Sequence, residues 1–198
     1  MDLFGIRREI RRAPENADCT ARGWEPVYTA NSSARLLIIG QAPGRIAQET
    51  NVPWNDKSGD NLRSWLGLSR DEFYDETRVA LVPMDFYFPG SRERGDAPPR
   101  KGFADRWHPL ILGQMPHITL TILIGQYSQE KYLGTKRKDT LTETVRAYRD
   151  YLPSYVPLVH PSPRNNIWIK RNPWFNEEVL PAVRDIVRSA ITLSYTKD

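Results

Sequence analysis

Four apolar stretches punctuate the chain. Leu36-Leu37-Ile38-Ile39 follow Arg35 without interruption, and Val79–Val82, Ile118–Ile124 and Val156–Val159 are similarly apolar. Continuous apolar runs of this length read as strands buried on both faces of a parallel sheet. Between them the period changes. Over residues 2–13, Leu3, Ile6 and Ile10 recur at helical spacing with arginines between, and Pro14 stops the helix. Residues 60–67 set Leu62, Trp65 and Leu66 on one face, and Asp71–Tyr74 opens a short helical turn. Helices are predicted again over 104–115, 126–133 and 140–151, and an amphipathic one over 174–192. Strands alternating with helices define an α/β protein, expected as three α/β/α layers around a central four-stranded parallel sheet. No repeat or linker divides the chain, so residues 1–198 are expected to form a single domain, with 1–34 as an N-terminal helix and a polar, irregular lead-in.

Two segments break the alternation. Gly40-Gln41-Ala42-Pro43-Gly44 directly follows the first strand, and open α/β sheets bind ligands in the crevice beyond the carboxyl ends of their strands. Pro83 to Gly102 has no periodicity at all. A long irregular segment in a compact domain is usually functional or disordered. Phe86, Tyr87 and Phe88 argue for order at its start, whereas Ser91–Arg100 reads as its mobile part.

Composition narrows the classes. Of 198 residues, 39% are hydrophobic and 26% charged, as in a soluble globule. No apolar run is long enough to cross a bilayer, and Met1–Gly5 lacks the basic-then-apolar order of a signal peptide, so a cytoplasmic monomer is expected. The lone Cys19 excludes an internal disulfide and a four-cysteine metal or iron–sulfur site. No metal or cofactor is expected. The net charge of +4 permits a nucleic-acid partner without requiring one. Basic residues gather in three blocks: Lys136-Arg137-Lys138; Arg92, Arg94, Arg100 and Lys101; and Arg164, Lys170 and Arg171. Each is read as a solvated surface unless they share one face.

The candidate chemistry lies in two segments that each follow a predicted strand. The first runs from Gly40 through Pro53-Trp54-Asn55-Asp56-Lys57-Ser58-Gly59 and offers a flat ring beside a carboxylate. The second begins at His160, stiffened by Pro161 and Pro163, with Arg164, Asn165 and Asn166 behind it. Turn amides beside a helix start suit an anionic or carbonyl ligand.

GQAPG after an apolar strand, then PW-N-D-K-SG, then a late HPSP with a basic residue behind it resembles the uracil-DNA glycosylase superfamily, across roughly residues 35–190. The resemblance implies hydrolysis of the bond between a base and its deoxyribose, after the nucleotide has been rotated out of the duplex. The expected partner is therefore damaged or deaminated duplex DNA. His160 matches the histidine that donates a hydrogen bond to the carbonyl on which negative charge grows. Trp54 matches the aromatic that stacks on the base, and Gln41 and Ala42 belong to the same base-binding turn. Ser58, Ser162, Arg164, Asn165 and Asn166 match the stretches that meet DNA. One branch reads GQDPYH, and its catalytic Asp corresponds to Ala42 here. Another, with a GLAPA turn, carries its Asp later in a G-D-x-S-G stretch, which Asn55-Asp56-Lys57-Ser58-Gly59 matches. Asp56 is therefore the implied acid. Several branches read uracil with an Asn after the second strand, where this chain has Val82-Pro83-Met84-Asp85. Asp85 is the candidate base reader in its stead.

Each assignment has a structural alternative. His160 could be a core histidine bonded to a carbonyl, Asp56 a helix N-cap, Trp54 a packing residue, Gln41 a turn closure, Asp85 a turn cap and Arg164 an exposed loop cation. His108 and His117 carry no motif and are read as structural or exposed. The same scaffold could also serve a non-cleaving protein that binds nucleic acid or a base.

Overall fold

The computed structural model describes residues 1–93 and 95–192. Its element order is α1 (Leu3–Arg12), α2 (Ala17–Ala21), β1 (Leu36–Ile39), α3 (Arg45–Thr50), α4 (Lys57–Leu66), α5 (Arg70–Tyr74), β2 (Val79–Leu81), β3 (Ser91–Arg92), β4 (Gly95–Asp96), α6 (Phe103–Leu112), β5 (Leu120–Ile124), α7 (Gly125–Leu133), α8 (Leu141–Arg146), β6 (Tyr155–Leu158), α9 (Asn166–Arg171) and α10 (Leu180–Thr192). Strands β2-β1-β5-β6 form one parallel sheet in that order, so their carboxyl ends share one rim.

The layers follow from the pleat. Leu36 and Ile38 of β1 point to one face, where Leu62, Leu66, Phe175, Val183 and Val187 complete a core. Leu37 and Ile39 point to the other, against Ile6, Ile10, Phe86, Phe103 and Trp107. Helices α4 and α10 pack on the first face, α1 and α6 on the second. All four β1 residues are buried, and truncating one to Ala would cost about 2–5 kcal/mol. This is the predicted α/β/α arrangement.

The differences are local. The lead-in is partly ordered: Pro14–Asn16 makes a 3-10 turn and α2 follows. The predicted helix over 140–151 ends at Arg146 and continues as a 3-10 turn, Tyr148–Tyr151. The last helix opens with a π turn, Phe175–Val179. Short helices α3 and α9 have too few turns to show a period. Ser91–Arg100, read as mobile, carries a two-stranded antiparallel hairpin, β3–β4. Arg94 of the basic block lies outside the described residues. No helix among the described residues is long and apolar enough to cross a membrane.

Candidate active site

The first turn is zipped to the segment after β2. The amides of Met84 and Asp85 donate to the carbonyls of Gly40 (2.8 Å) and Gln41 (3.1 Å). The Gln41 side chain reaches the other way, its Nε2 donating to the Ala97 carbonyl at 2.8 Å. Gln41 therefore closes the turn and ties it to the hairpin loop.

Trp54 is held in a left-handed conformation, φ 56°, which a bulky residue adopts only when its surroundings impose it. Two glycines make room for it. A Cβ on Gly40 would stand 2.7 Å from Trp54 Cζ2, and one on Gly59 would stand 1.7 Å from the Trp54 carbonyl oxygen. The Tyr74 hydroxyl donates to the Pro53 carbonyl (2.9 Å) and Arg63 Nη1 to the Trp54 carbonyl (3.4 Å). The ring packs partly on the core and partly lines a cavity.

Asp56 is the N-cap of α4. Its Oδ1 accepts from the Gly59 amide at 2.9 Å. Its Oδ2 lies 3.5 Å from where a Cβ on Gly44 would be, on the cavity side. One oxygen satisfies the helix while the other remains available.

His160 follows β6. Its Nδ1 accepts from the Ser162 amide at 3.2 Å, so the proton of the neutral ring belongs on Nε2. Burial lowers its pKa below the ordinary histidine value, with the Asp56 charge pulling the other way. The ring is thus a neutral donor. Its loop is fixed by Asn165 Nδ2 donating to the His160 carbonyl (2.6 Å) and Asn61 Nδ2 to the Pro161 carbonyl (2.8 Å). The Trp54 and His160 rings lie 5.7 Å apart at 35°.

These side chains meet in one cavity of about 450 Å³. Gln41, Ala42, Trp54, Asp56, Ser58, His160, Ser162, Arg164 and Asn165 all line it. Two nominated residues do not. Asn166 is exposed at the start of α9, outside the lining. Asp85 is 1% exposed, and Arg100 holds it in a fork, Nε to Oδ2 at 2.7 Å and Nη2 to Oδ1 at 2.8 Å. The amides of Tyr87 and Arg100 take the remaining lone pairs at 3.1 and 3.0 Å. Its acceptors are spent on the loop, so Asp85 closes a turn and does not read a base.

The cavity also contains a residue the motifs do not mark. Asp96, on β4, lines the wall near Asp56 and Arg164. Burial and the Asp56 charge raise its pKa, while Arg164 lowers it. Its only sequence signal is its membership of the long aperiodic segment. His108 is structural: buried, its Nε2 donates to the Pro83 carbonyl at 2.9 Å and its Nδ1 accepts from Tyr132 at 2.5 Å. Among the described residues no group of three or more His, Cys, Asp or Glu could hold a metal ion.

The rim of the parallel sheet thus brings a ring, an imidazole donor and carboxylates into one cleft, the place where open α/β sheets build their ligand sites. The sequence model of the uracil DNA glycosylase superfamily matches residues 26–184, and the chain belongs to that superfamily. A solved structure from Methanosarcina acetivorans, provisionally named a uracil DNA glycosylase, is similar at 14% identity and a TM-score of 0.45, over 81% of this chain and 98% of that one.

Proposed function

We propose that this protein is a DNA glycosylase that hydrolyses the N-glycosidic bond of a flipped-out uracil or other deaminated base, in base excision repair. The observation that carries the reading is the convergence of a neutral His160, a free Asp56 oxygen and the Trp54 face in one cavity. The base stacks on Trp54. As the C1′–N bond loosens, electrons move onto the base, and His160 Nε2–H donates to the carbonyl where charge grows. A preorganised donor of this kind is worth about 10²–10³ in rate. Asp56 Oδ2 stabilises the cationic sugar and takes the proton of the attacking water. The mouth-side groups Ser162, Arg164 and Asn165 meet the DNA backbone and the vacated gap. Electrostatic contacts of that kind make affinity fall with salt.

Ala42 favours a second reading. The turn supplies a methyl where another branch of the superfamily supplies a carboxylate, so a protein that binds a base without excising it fits the same cleft. A cleavage screen separates the two. Labelled single- and double-stranded oligonucleotides carrying uracil, hypoxanthine, xanthine or mismatched thymine are incubated with protein and treated with alkali. Breaks at one lesion, lost in His160→Ala and in Asp56→Asn while binding persists, support the glycosylase. Salt-sensitive binding with no break at any lesion supports the non-cleaving reading. Full activity in both variants would refute the site.

A further inference from the structure

We propose that Asp96 is a second catalytic carboxylate of this cavity, which hands a proton to the departing base, and that the substrate is accordingly a purine-type base. The inference rests on the glycosylase reading above and goes beyond it by assigning a proton donor and a substrate class.

The geometry begins at Gly44. A Cβ there would stand 3.5 Å from Asp56 Oδ2 and 3.9 Å from Asp96 Oδ2. The two carboxylates flank one spot, their Oδ2 atoms at most about 7.4 Å apart, close enough for both to reach one glycosidic bond. Asp56 is already engaged by its helix. The Asp96 carboxylate takes part in no hydrogen bond with another described residue.

The loop that carries Asp96 is fastened at both ends. Gln41 Nε2 holds the Ala97 carbonyl at 2.8 Å, one residue along. The Ala97 amide donates to the Gly90 carbonyl at 2.8 Å. Beyond it, Arg100 locks onto buried Asp85. Such a buried pair contributes little net stability over an apolar one, so its service is to fix where the loop ends. Gly95, at φ 117°, makes the turn into Asp96, and its missing side chain leaves room for Arg164 Nη1, 3.1 Å from where a Cβ would be.

The charges facing Asp96 sort the two roles. Asp56, at the start of α4, and burial both favour its protonated form, and Arg164, from the loop after β6, opposes them. His160 shares the cavity as a neutral ring. A carboxyl group pushed toward its protonated form beside a second carboxylate supplies a proton donor where a glycosidic bond would break.

A uracil ring departs as a stabilised anion and needs only the hydrogen bond from His160. A purine ring departs readily once a ring nitrogen is protonated. In the step proposed, the C1′–N bond breaks and its electron pair goes to the base. Asp96 transfers its proton to a ring nitrogen, water oxygen bonds to C1′, and the water's proton passes to Asp56. The products are free base and an abasic sugar, and solvent exchange returns the proton from Asp56 to Asp96.

The test is single-turnover excision of hypoxanthine and of uracil by the wild type and Asp96→Asn, from pH 4.5 to 8. The Asp96 carboxylate makes no hydrogen bond with another described residue, so the isosteric variant keeps the fold, and thermal melting checks this. The expected result is a loss of about 100-fold or more for hypoxanthine in the variant, at least about tenfold greater than its loss on uracil. The wild-type hypoxanthine rate should fall as pH rises, and that limb should vanish in Asp96→Asn. Asp96→Glu should restore part of the rate. Equal losses on both bases, or none on either, would overturn the inference. A wild type that cuts uracil alone sinks the Asp96 role and leaves the glycosylase standing. A wild type that cuts no lesion sinks both.

Discussion

Acid should weaken this fold through His108, by an amount the structure supplies. The ring is 1% exposed. Its Nε2 must carry a proton, because the Pro83 carbonyl 2.9 Å away can only accept. Its Nδ1 accepts from the Tyr132 hydroxyl, and Phe86 stacks on the ring at 5.9 Å. A second proton would put a cation among apolar neighbours and displace the Tyr132 bond. Burial accordingly lowers the pKa from 6.5 to about 4, with the Pro83 bond opposing and the Lys131 charge assisting. A lowered folded-state pKa means that the unfolded chain takes up the proton first. The stability from neutral His108 is intact above pH 6.5 and is lost as pH falls from 6.5 to about 4. A shift of ~2.5 pH units corresponds to about 3 kcal/mol. In urea, with a slope of about 2 kcal/mol per molar, the midpoint moves by roughly 1.5 M. His160 shifts in the same direction, so the wild-type curve alone does not isolate His108. His108→Gln does, since it retains a donor and an acceptor without titrating. At pH 7.5 it should be about 1–2 kcal/mol less stable than wild type, from imperfect hydrogen bonds. By pH 4 the deficit should close or reverse. Urea midpoints at pH 7.5, 6, 5 and 4 decide it, and parallel curves for the two proteins would refute the argument. Function is linked to the outcome, because Pro83 lines the cavity.

Gly40→Ala should drive a methyl into the Trp54 ring, 2.7 Å away. A cost of about 1–3 kcal/mol in stability is expected, with a loss of excision larger than the melting shift explains; a rate equal to wild type would show that the ring's position is unimportant. Arg100→Leu strands the Asp85 charge in the interior and should cost about 3–5 kcal/mol. Adding Asp85→Asn should recover most of it, and a chemical-denaturation cycle over the four proteins measures the coupling.

The sheet was legible because its strands are continuous apolar runs, and the layer arrangement followed from their alternation with helices. Short elements were not: α3 and α9 have six residues each, too few to display a period. The cavity-lining residues of the two motifs were found because both motifs follow buried strands, and parallel strands deliver their ends to one rim. Asp85 was misread for a reason the sequence hides. A carboxylate after a strand looks available until its partner is known, and Arg100 lies 15 residues along, in a stretch without pattern. Asp96 was missed for the same reason, since its proximity to Asp56 depends on how that stretch folds back.

Capping and the proposed catalytic role of Asp56 are compatible, because they would use different oxygens. Capping consumes Oδ1 and fixes the carboxylate plane, which aims Oδ2 at the spot beside Gly44. His160 follows the same logic. The Ser162 amide occupies Nδ1 and thereby commits Nε2 to donate. In both residues a backbone amide takes one end of a two-ended side chain and leaves the other preorganised at the cavity. Gln41 and Asp85 apply the same economy to a loop, spending their polar groups on Ala97 and Arg100. Those two contacts hold the loop that carries Asp96 against the cavity that Asp56 and His160 line.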